Sequence, residues 1–269
     1  MSLVRLGAVS YLNTKPLVQG LDQRSDLFSL RFDVPARCAA LLHQGHVDLG
    51  LIPAIEYLHG DYRIVPGVAI ASNGPIASVA LFSSVPVDQV RTLALDTSSR
   101  TSVALTRVLC ATRWQIAPAF VPAEPDLPAM LARADAALII GDPALVIDAE
   151  AQGVIKTDLG SEWQAMTGLP FVYAMWCGRE GVAQAEHINE LNAARDRGVA
   201  DLGAIARSES RGDRETEARM LPYLRDNLKY HLGDAEVAGL RRFHELAAEH
   251  GVARGLRDLR FFHKGVGPV

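Results

Sequence analysis

Short apolar runs alternate along the first third of the chain with stretches whose apolar positions recur every three or four residues. Residues 4–9, 28–34 and 47–52 read as strands. Residues 36–44 and 54–59 read as helices, with Gly45 placed to end the first and Pro53 to start the second. Residues 13–20 look like the start of a further helix. This alternation predicts right-handed βαβ units and a parallel sheet. Residues 65–71 and 76–83 are both extended and apolar, and Ser72-Asn73-Gly74-Pro75 between them is a turn signal. A second α/β unit follows, with strands at 92–95, 119–122 and 136–140 and helices at 99–114 and 127–133. The apolar run 171–176 is placed to carry the chain back to the first unit. From residue 181 the period turns helical: one long helix or two over 183–206, then 214–230 and 235–250. Tyr223, Leu224, Leu228 and Leu232 form an apolar stripe there. The charged run 207–217 reads as a solvated helix junction, and the tail 261–269 as an irregular end.

Two α/β units joined by extended crossovers and closed by a helical return predict two lobes around a cleft. The expected lobes are residues 1–84 with 175–269, and residues 85–174. Open α/β sheets bind ligands at the carboxyl ends of their strands. That rule singles out the loops at 10–13, 52–53, 72–78, 96–102 and 141–143.

Composition narrows the function. Of the 269 residues 49% are hydrophobic and 22% charged, the balance of a soluble globular protein with a substantial core. A net charge of -4 leaves no basic footprint for nucleic acid. Cys38, Cys110 and Cys177 stand far apart without ligand spacing, which argues against a disulfide framework and a structural zinc site. The amino terminus lacks the apolar core and cleavage site of a signal peptide. No apolar run approaches the ~20 residues that span a bilayer. The chain is therefore expected to be cytoplasmic, with no membrane partner. The eight histidines form no ligand pair or triad, and HExxH, GxSxG, Walker A and GxGxxG patterns are absent. No metal is expected.

The loops carry the candidate chemistry. Asp96-Thr97-Ser98-Ser99-Arg100-Thr101-Ser102 follows a strand and opens a helix. Its hydroxyls and free N–H groups suit a carboxylate or phosphate, and the same residues are ordinary helix caps. Seven polar residues in a row at the cleft end of a strand tilt this loop toward anion binding. Ser10-Tyr11-Leu12-Asn13 is the equivalent loop of the first unit: Ser10 and Asn13 either donate to a ligand that Tyr11 covers, or cap a helix. Ser72-Asn73-Gly74-Pro75 with Ser78 marks either a hinge or a plain turn. In Gly141-Asp142-Pro143, Asp142 is a candidate base, although Pro at the first helical position favours capping. Trp163, Phe171, Tyr173 and Trp176 line a pocket or, by default, pack the core.

Several stretches resemble one family. Val9-Ser10-Tyr11-Leu12-Asn13-Thr14-Lys15-Pro16-Leu17 is similar to the amino-terminal signature of the chorismate dehydratases of the futalosine route to menaquinone. Asp48-Leu49-Gly50-Leu51-Ile52-Pro53-Ala54-Ile55-Glu56-Tyr57 resembles their next block, Asp96 to Ser102 the loop that opens the helix, and Ile139-Ile140-Gly141-Asp142-Pro143-Ala144-Leu145 the one after it. Asp158 to Trp163 and Phe171 to Trp176 complete the set. These blocks span about two thirds of the chain in order; the helical last third matches only in general character. The dihydroxynaphthoate synthases of the same route share the fold, but open on a Ser-Pro-x-Pro-Asn-Asp pattern that this chain lacks.

The resemblance implies an α/β fold of the periplasmic-binding-protein-like type II, with two lobes around a central cleft. It implies a hydro-lyase that needs no cofactor, acts on the small molecule chorismate, and works as a monomer or homodimer. The reaction removes water to give 3-[(1-carboxyvinyl)oxy]benzoate. The enzyme then has to hold two carboxylates, stabilise charge spreading onto the ring carboxylate and assist loss of hydroxide. Asn13, Ser78 and Asp142 are the expected catalytic residues. Ser10, Tyr11, Ser98, Ser99, Thr101, Ser102 and Gly141 are the expected substrate-binding set. With no evident base near neutral pH, the substrate's own enolpyruvyl carboxylate is expected to take the C3 proton, with Asp142 as the protein alternative. The competing expectation is a non-catalytic small-anion binder or ligand sensor.

Overall fold

In the computed structural model, which describes residues 3–263, the apolar runs of the first third lie side by side. β1 (Val4–Val9) runs parallel to both β2 (Phe28–Asp33) and β3 (Leu49–Pro53). β10 (Phe171–Gly178) runs antiparallel between β3 and β4 (Arg63–Ser72), giving the order β2-β1-β3-β10-β4. The second sheet repeats the plan. β6 (Thr92–Asp96) is parallel to β7 (Ala119–Ala123) and β8 (Ala136–Ile140), and β5 (Val79–Ser83) runs antiparallel between β8 and β9 (Ile155–Asp158). Its order is β7-β6-β8-β5-β9. Each sheet thus receives one strand from the chain as it crosses between lobes.

These pairings move the expected lobe boundaries. β5 belongs to the second sheet and β10 wholly to the first, so the crossovers lie at residues 73–78 and 159–170 instead of after 84 and before 175. The reason is burial. All five residues of β5 and all eight of β10 are buried, and a strand buried on both faces belongs in the middle of a sheet. The edge strands β2 and β7 alternate or are mostly exposed.

The helices follow the sequence with informative exceptions. α1 (Pro35–His43), α2 (Arg100–Thr112) and α3 (Leu127–Leu131) stand close to where the periodicity puts them. Leu12–Val18 and Ala54–His59 form tighter 3-10 turns; Pro16 lies inside the first and has no N–H for a longer ladder. α4 (Asp142–Val146) follows β8, and α5 (Leu159–Thr167) fills the return crossover. The stretch 183–206 divides into α6 (Ala185–Ala200) and α7 (Leu202–Glu209), joined at Asp201. α8 (Arg214–Pro222) runs into a π-helical turn at Tyr223–Asn227, because Pro222 interrupts the α-ladder. α9 (Asp234–Glu249) packs on β10, and α6 packs on the turn Leu12–Val18. Gly198 permits that last approach, since a Cβ there would run into the Pro16 backbone. Of the expected irregular tail, 264–269 lies outside the described residues.

One apolar cluster runs through the first sheet and under β6 and α2 of the second lobe. A smaller one, around Phe82, Leu127 and Met130, covers the other face of the second sheet. Trp163, Phe171 and Trp176 are fully buried in the larger cluster, where Trp163 Nε1 donates to the Pro170 carbonyl at 3.2 Å. Among the described residues no helix is long and apolar enough to cross a membrane.

Candidate active site

The carboxyl ends of β1, β3, β6 and β8 meet between the lobes, and a cavity opens where they converge. Val9, Pro53, Ile70, Ile76 and Ile140 supply its apolar walls; Tyr11, Asn13, Ser78, Ser99, Ser102 and Tyr173 supply polar groups, with Gly141 at the rim. The empty space is about 470 Å³ counting its mouth, and only about 40 Å³ of it is wide enough for the centre of a water molecule. The lobes therefore stand nearly closed. None of the residues lining the cavity is an Asp, Glu, Lys, Arg or His.

Its polar groups come from both lobes and from the crossover between them. Ser99 is the N-cap of α2: its hydroxyl accepts from the Ser102 N–H at 3.4 Å and lies 3.0 Å from the Ser102 hydroxyl. Both readings of this loop meet in one pair of residues, since the cap also faces the cavity. Ser78 ends the crossover and is 1% exposed. Its N–H reaches the Ile76 carbonyl, its carbonyl accepts from Gly141 N–H, and its hydroxyl accepts from Tyr223 at 2.9 Å. Asn13 faces the cavity from the first 3-10 turn, and its carboxamide oxygen accepts from the Thr14 hydroxyl at 3.4 Å.

Other expected site residues hold the lobes together instead of lining the cavity. Asp142 does not cap α4. Its carboxylate oxygens accept from the Leu12 N–H at 3.2 and 3.3 Å, so it caps the first 3-10 turn from across the cleft, a task expected of Ser10 or Asn13. Burial raises the Asp142 carboxyl above its ordinary value, and the Leu12 N–H works against that shift. Asp142 lines a second hollow, behind Leu12 and Tyr223, and not the cavity. Thr101 is fully buried, and its hydroxyl accepts from Ile55 N–H of the opposite lobe at 3.2 Å. Ser98 takes the Ala36 N–H on its carbonyl, and its hydroxyl lies 3.4 Å from that of Tyr11. Ser10 is exposed and pairs its N–H with Asp33. These four lie outside the cavity wall because their polar atoms serve partners across or beside the cleft.

One further contact crosses the cleft. Arg100, beside Ser99, donates to Glu56 at 2.9 Å, and His43 lies 2.6 Å from the same oxygen. Glu56 is 1% exposed. Its burial works to raise the carboxyl, but His43 and Arg100 outweigh it and hold the group down to about 2. A paired buried carboxylate thus anchors the end of α2 that presents Ser99 and Ser102.

The crossovers are tied as firmly. Asp158 accepts from the Ile76, Ala77 and Ser161 N–H groups, and Gln164 donates to Asn73 at 3.0 Å. Ala77 is held at φ 64, a left-handed conformation that costs a non-glycine residue about 1 kcal/mol or more.

Sequence reasoning missed Tyr223, which read as part of an apolar stripe, and left Tyr173 with the core aromatics. Tyr173 lines the cavity and its hydroxyl meets Ser72 at 3.2 Å. The signal available for Tyr223 was Pro222 before it, which breaks the helical period that made the stripe look continuous.

Two five-stranded sheets linked by two crossovers, with an uncharged cavity at the ends of their parallel strands, define a two-lobed protein of the periplasmic-binding-protein fold. A Candida albicans protein described as having that generic fold matches at a TM-score of 0.67 and 10% identity, over 96% of this chain and 92% of that one. A protein of Archaeoglobus fulgidus matches at a TM-score of 0.71 and 18% identity, over 93% of this chain and 98% of that one. By sequence, the family model described as menaquinone biosynthesis matches residues 4–249, and the chain belongs to that family. It is 31% identical over 258 residues to the chorismate dehydratase of Thermus thermophilus, which is 89% of this chain and 93% of that one.

Proposed function

We propose that this chain is a chorismate dehydratase, a hydro-lyase that converts chorismate to 3-[(1-carboxyvinyl)oxy]benzoate and water. The observation that carries the reading is the cavity itself: apolar walls with neutral donors from both lobes and no charged side chain, in a member of the menaquinone-biosynthesis family.

Neutral donors suffice because of their number. Stripping water from a carboxylate costs several kcal/mol, and each hydrogen bond to a charged group returns about 1.5–3 kcal/mol. Two or three donors per carboxylate therefore balance the transfer. The Ser99 and Ser102 hydroxyls at the start of α2 offer such a set to one carboxylate, and Asn13 and Ser78 another on the opposite wall. A lysine or arginine in their place would hold the substrate carboxylates equally well before and during reaction, which gains binding without gaining rate.

The chemistry follows from the same lining. The C3 hydrogen of chorismate is acidified through the ring double bond by the C1 carboxylate. Its removal spreads charge onto that carboxylate, and hydroxide then leaves C4 as the ring becomes aromatic. No carboxylate or imidazole of the protein lines the cavity to take the proton. The enolpyruvyl carboxylate of the substrate, held against C3 by the closed lobes, serves as the base. Admission of a ring requires the lobes to part about residues 73–78 and 159–170, and closure brings the two donor sets onto it.

Incubating the purified protein with chorismate and following mass tests the proposal directly. The expected outcome is a product lighter by one water, with an aromatic absorbance. Unchanged chorismate that nonetheless binds would mark a binder and not an enzyme. The role of Asp142 is separable by substitution. Asp142→Asn keeps an oxygen for the Leu12 N–H and retains turnover within about tenfold, whereas Asp142→Ala leaves that buried N–H unpaired and loses more. Equal abolition by both, with chorismate still bound, would make Asp142 the base.

A further inference from the structure

We propose that Tyr223 is a positioning residue for the dehydration, its hydroxyl fixing Ser78 as a donor aimed into the cavity. The inference rests on the dehydratase reading and extends it to a residue outside the cavity wall.

The argument is one of hydrogen-bond direction. The Tyr223 hydroxyl donates to Ser78 Oγ at 2.9 Å. With its oxygen accepting from Tyr223, the Ser78 hydroxyl keeps its own proton for the cavity it lines. The reverse direction fails locally. Were Ser78 to donate to Tyr223, the phenol's own proton would sit buried without the acceptor it now has. Burial pushes the Tyr223 phenol well above its ordinary range, so it stays protonated and keeps donating. A phenol that donates to a hydroxyl polarises it, which strengthens that hydroxyl as a donor in turn.

The fold holds the two on different segments: Ser78 at the crossover and Tyr223 on the π-helical turn after α8. That turn is pinned to the crossover, because Asn227 Nδ2 donates to the Pro75 carbonyl at 2.9 Å. Beyond it, Lys229 pairs with Ala71 in both directions along β4. Single-turn π segments inside helices recur at functional sites, and here the turn sets the Tyr223 hydroxyl against the residue that joins the lobes. The donor so oriented meets either the departing C4 hydroxyl or a substrate carboxylate, the two groups that gain charge or leave during elimination.

The test is a double-mutant cycle on Tyr223→Phe, Ser78→Ala and their combination, with wild type assayed alongside on chorismate. Tyr223→Phe keeps the ring and is expected to lower kcat about tenfold to a hundredfold, with KM within about threefold. Because Tyr223 acts through Ser78, the double variant should be no slower than Ser78→Ala alone. Wild-type kcat in Tyr223→Phe, or a double loss equal to the product of the single losses, overturns the proposal. A second measurement needs no turnover: the Tyr223 hydroxyl proton in the wild-type protein should exchange slowly in proton NMR and show contacts to the Ser78 β-protons. Its absence also overturns the proposal. If wild type leaves chorismate unchanged, the dehydratase reading fails, and the NMR result alone decides whether Tyr223 donates to Ser78.

Discussion

Replacing Asn13 with alanine lowers turnover of chorismate by about two to three orders of magnitude, the range seen when one donor to a developing charge is removed. Asn13 sits where the amino-terminal loop turns into the cavity, half-buried and facing it. Alanine removes the donor and leaves a gap in a wall that excludes water. The fold should persist, because the backbone of this turn is held independently: Asp142 accepts from Leu12, and Thr14 N–H reaches the Tyr11 carbonyl. The thermal midpoint should therefore move by only a few degrees while kcat collapses. Asn13→Asp sharpens the point. It preserves size, but sets a negative charge against a substrate that already carries two, so KM should rise as well as kcat fall. A steady-state assay on chorismate of all three proteins checks this. Near-native kcat in Asn13→Ala would remove the residue from the chemistry.

Why the sequence disclosed some of this and not the rest has a physical explanation. Strands buried on both faces write themselves as continuous apolar runs, so β1, β3, β6, β8 and β10 were legible. β9, reading Ile-Lys-Thr-Asp at a sheet edge, carries no such run and went unseen, as did α5 behind it. The lobe boundaries slipped because apolar runs do not say which sheet they join. The rule that ligands sit at strand carboxyl ends pointed to loops that share one cavity, whose wall Tyr11, Asn13, Ser78, Ser99, Ser102 and Gly141 all line. It could not sort residues within a loop. Ser98, Ser99, Thr101 and Ser102 are interchangeable as text, and only the turn of α2 decides that Ser99 and Ser102 face inward while Thr101 bonds to the other lobe. Asp142 was misread for a related reason: its partner, the Leu12 N–H, lies 130 positions away in the chain.

Gly141→Ala should be nearly as damaging as loss of Asn13, by a mechanical route. Gly141 holds φ 69 and ψ -153, a region open in practice only to glycine, so any side chain there costs about 1–3 kcal/mol before contacts are considered. A Cβ would also lie 2.9 Å from Cε2 and Cζ of the Tyr11 ring, closer than real Cβ contacts come. The ring has little room to retreat, since its hydroxyl meets Ser98 and its neighbour Leu12 is bonded to Asp142. The loop and the ring must therefore separate, at one of the places where the two lobes touch. Separation costs the Leu12–Asp142 bond and lets water into a cavity whose donors depend on its exclusion. A fall in kcat/KM of about a hundredfold, equivalent to roughly 2.7 kcal/mol, is expected, with a drop of several degrees in thermal midpoint. Combining it with Tyr11→Ala separates the two causes. That change relieves the clash but not the backbone strain, so the midpoint should recover in part while activity stays low, because the cavity has lost one wall. Native activity in Gly141→Ala would mean that the lobes need not meet here for the reaction to proceed.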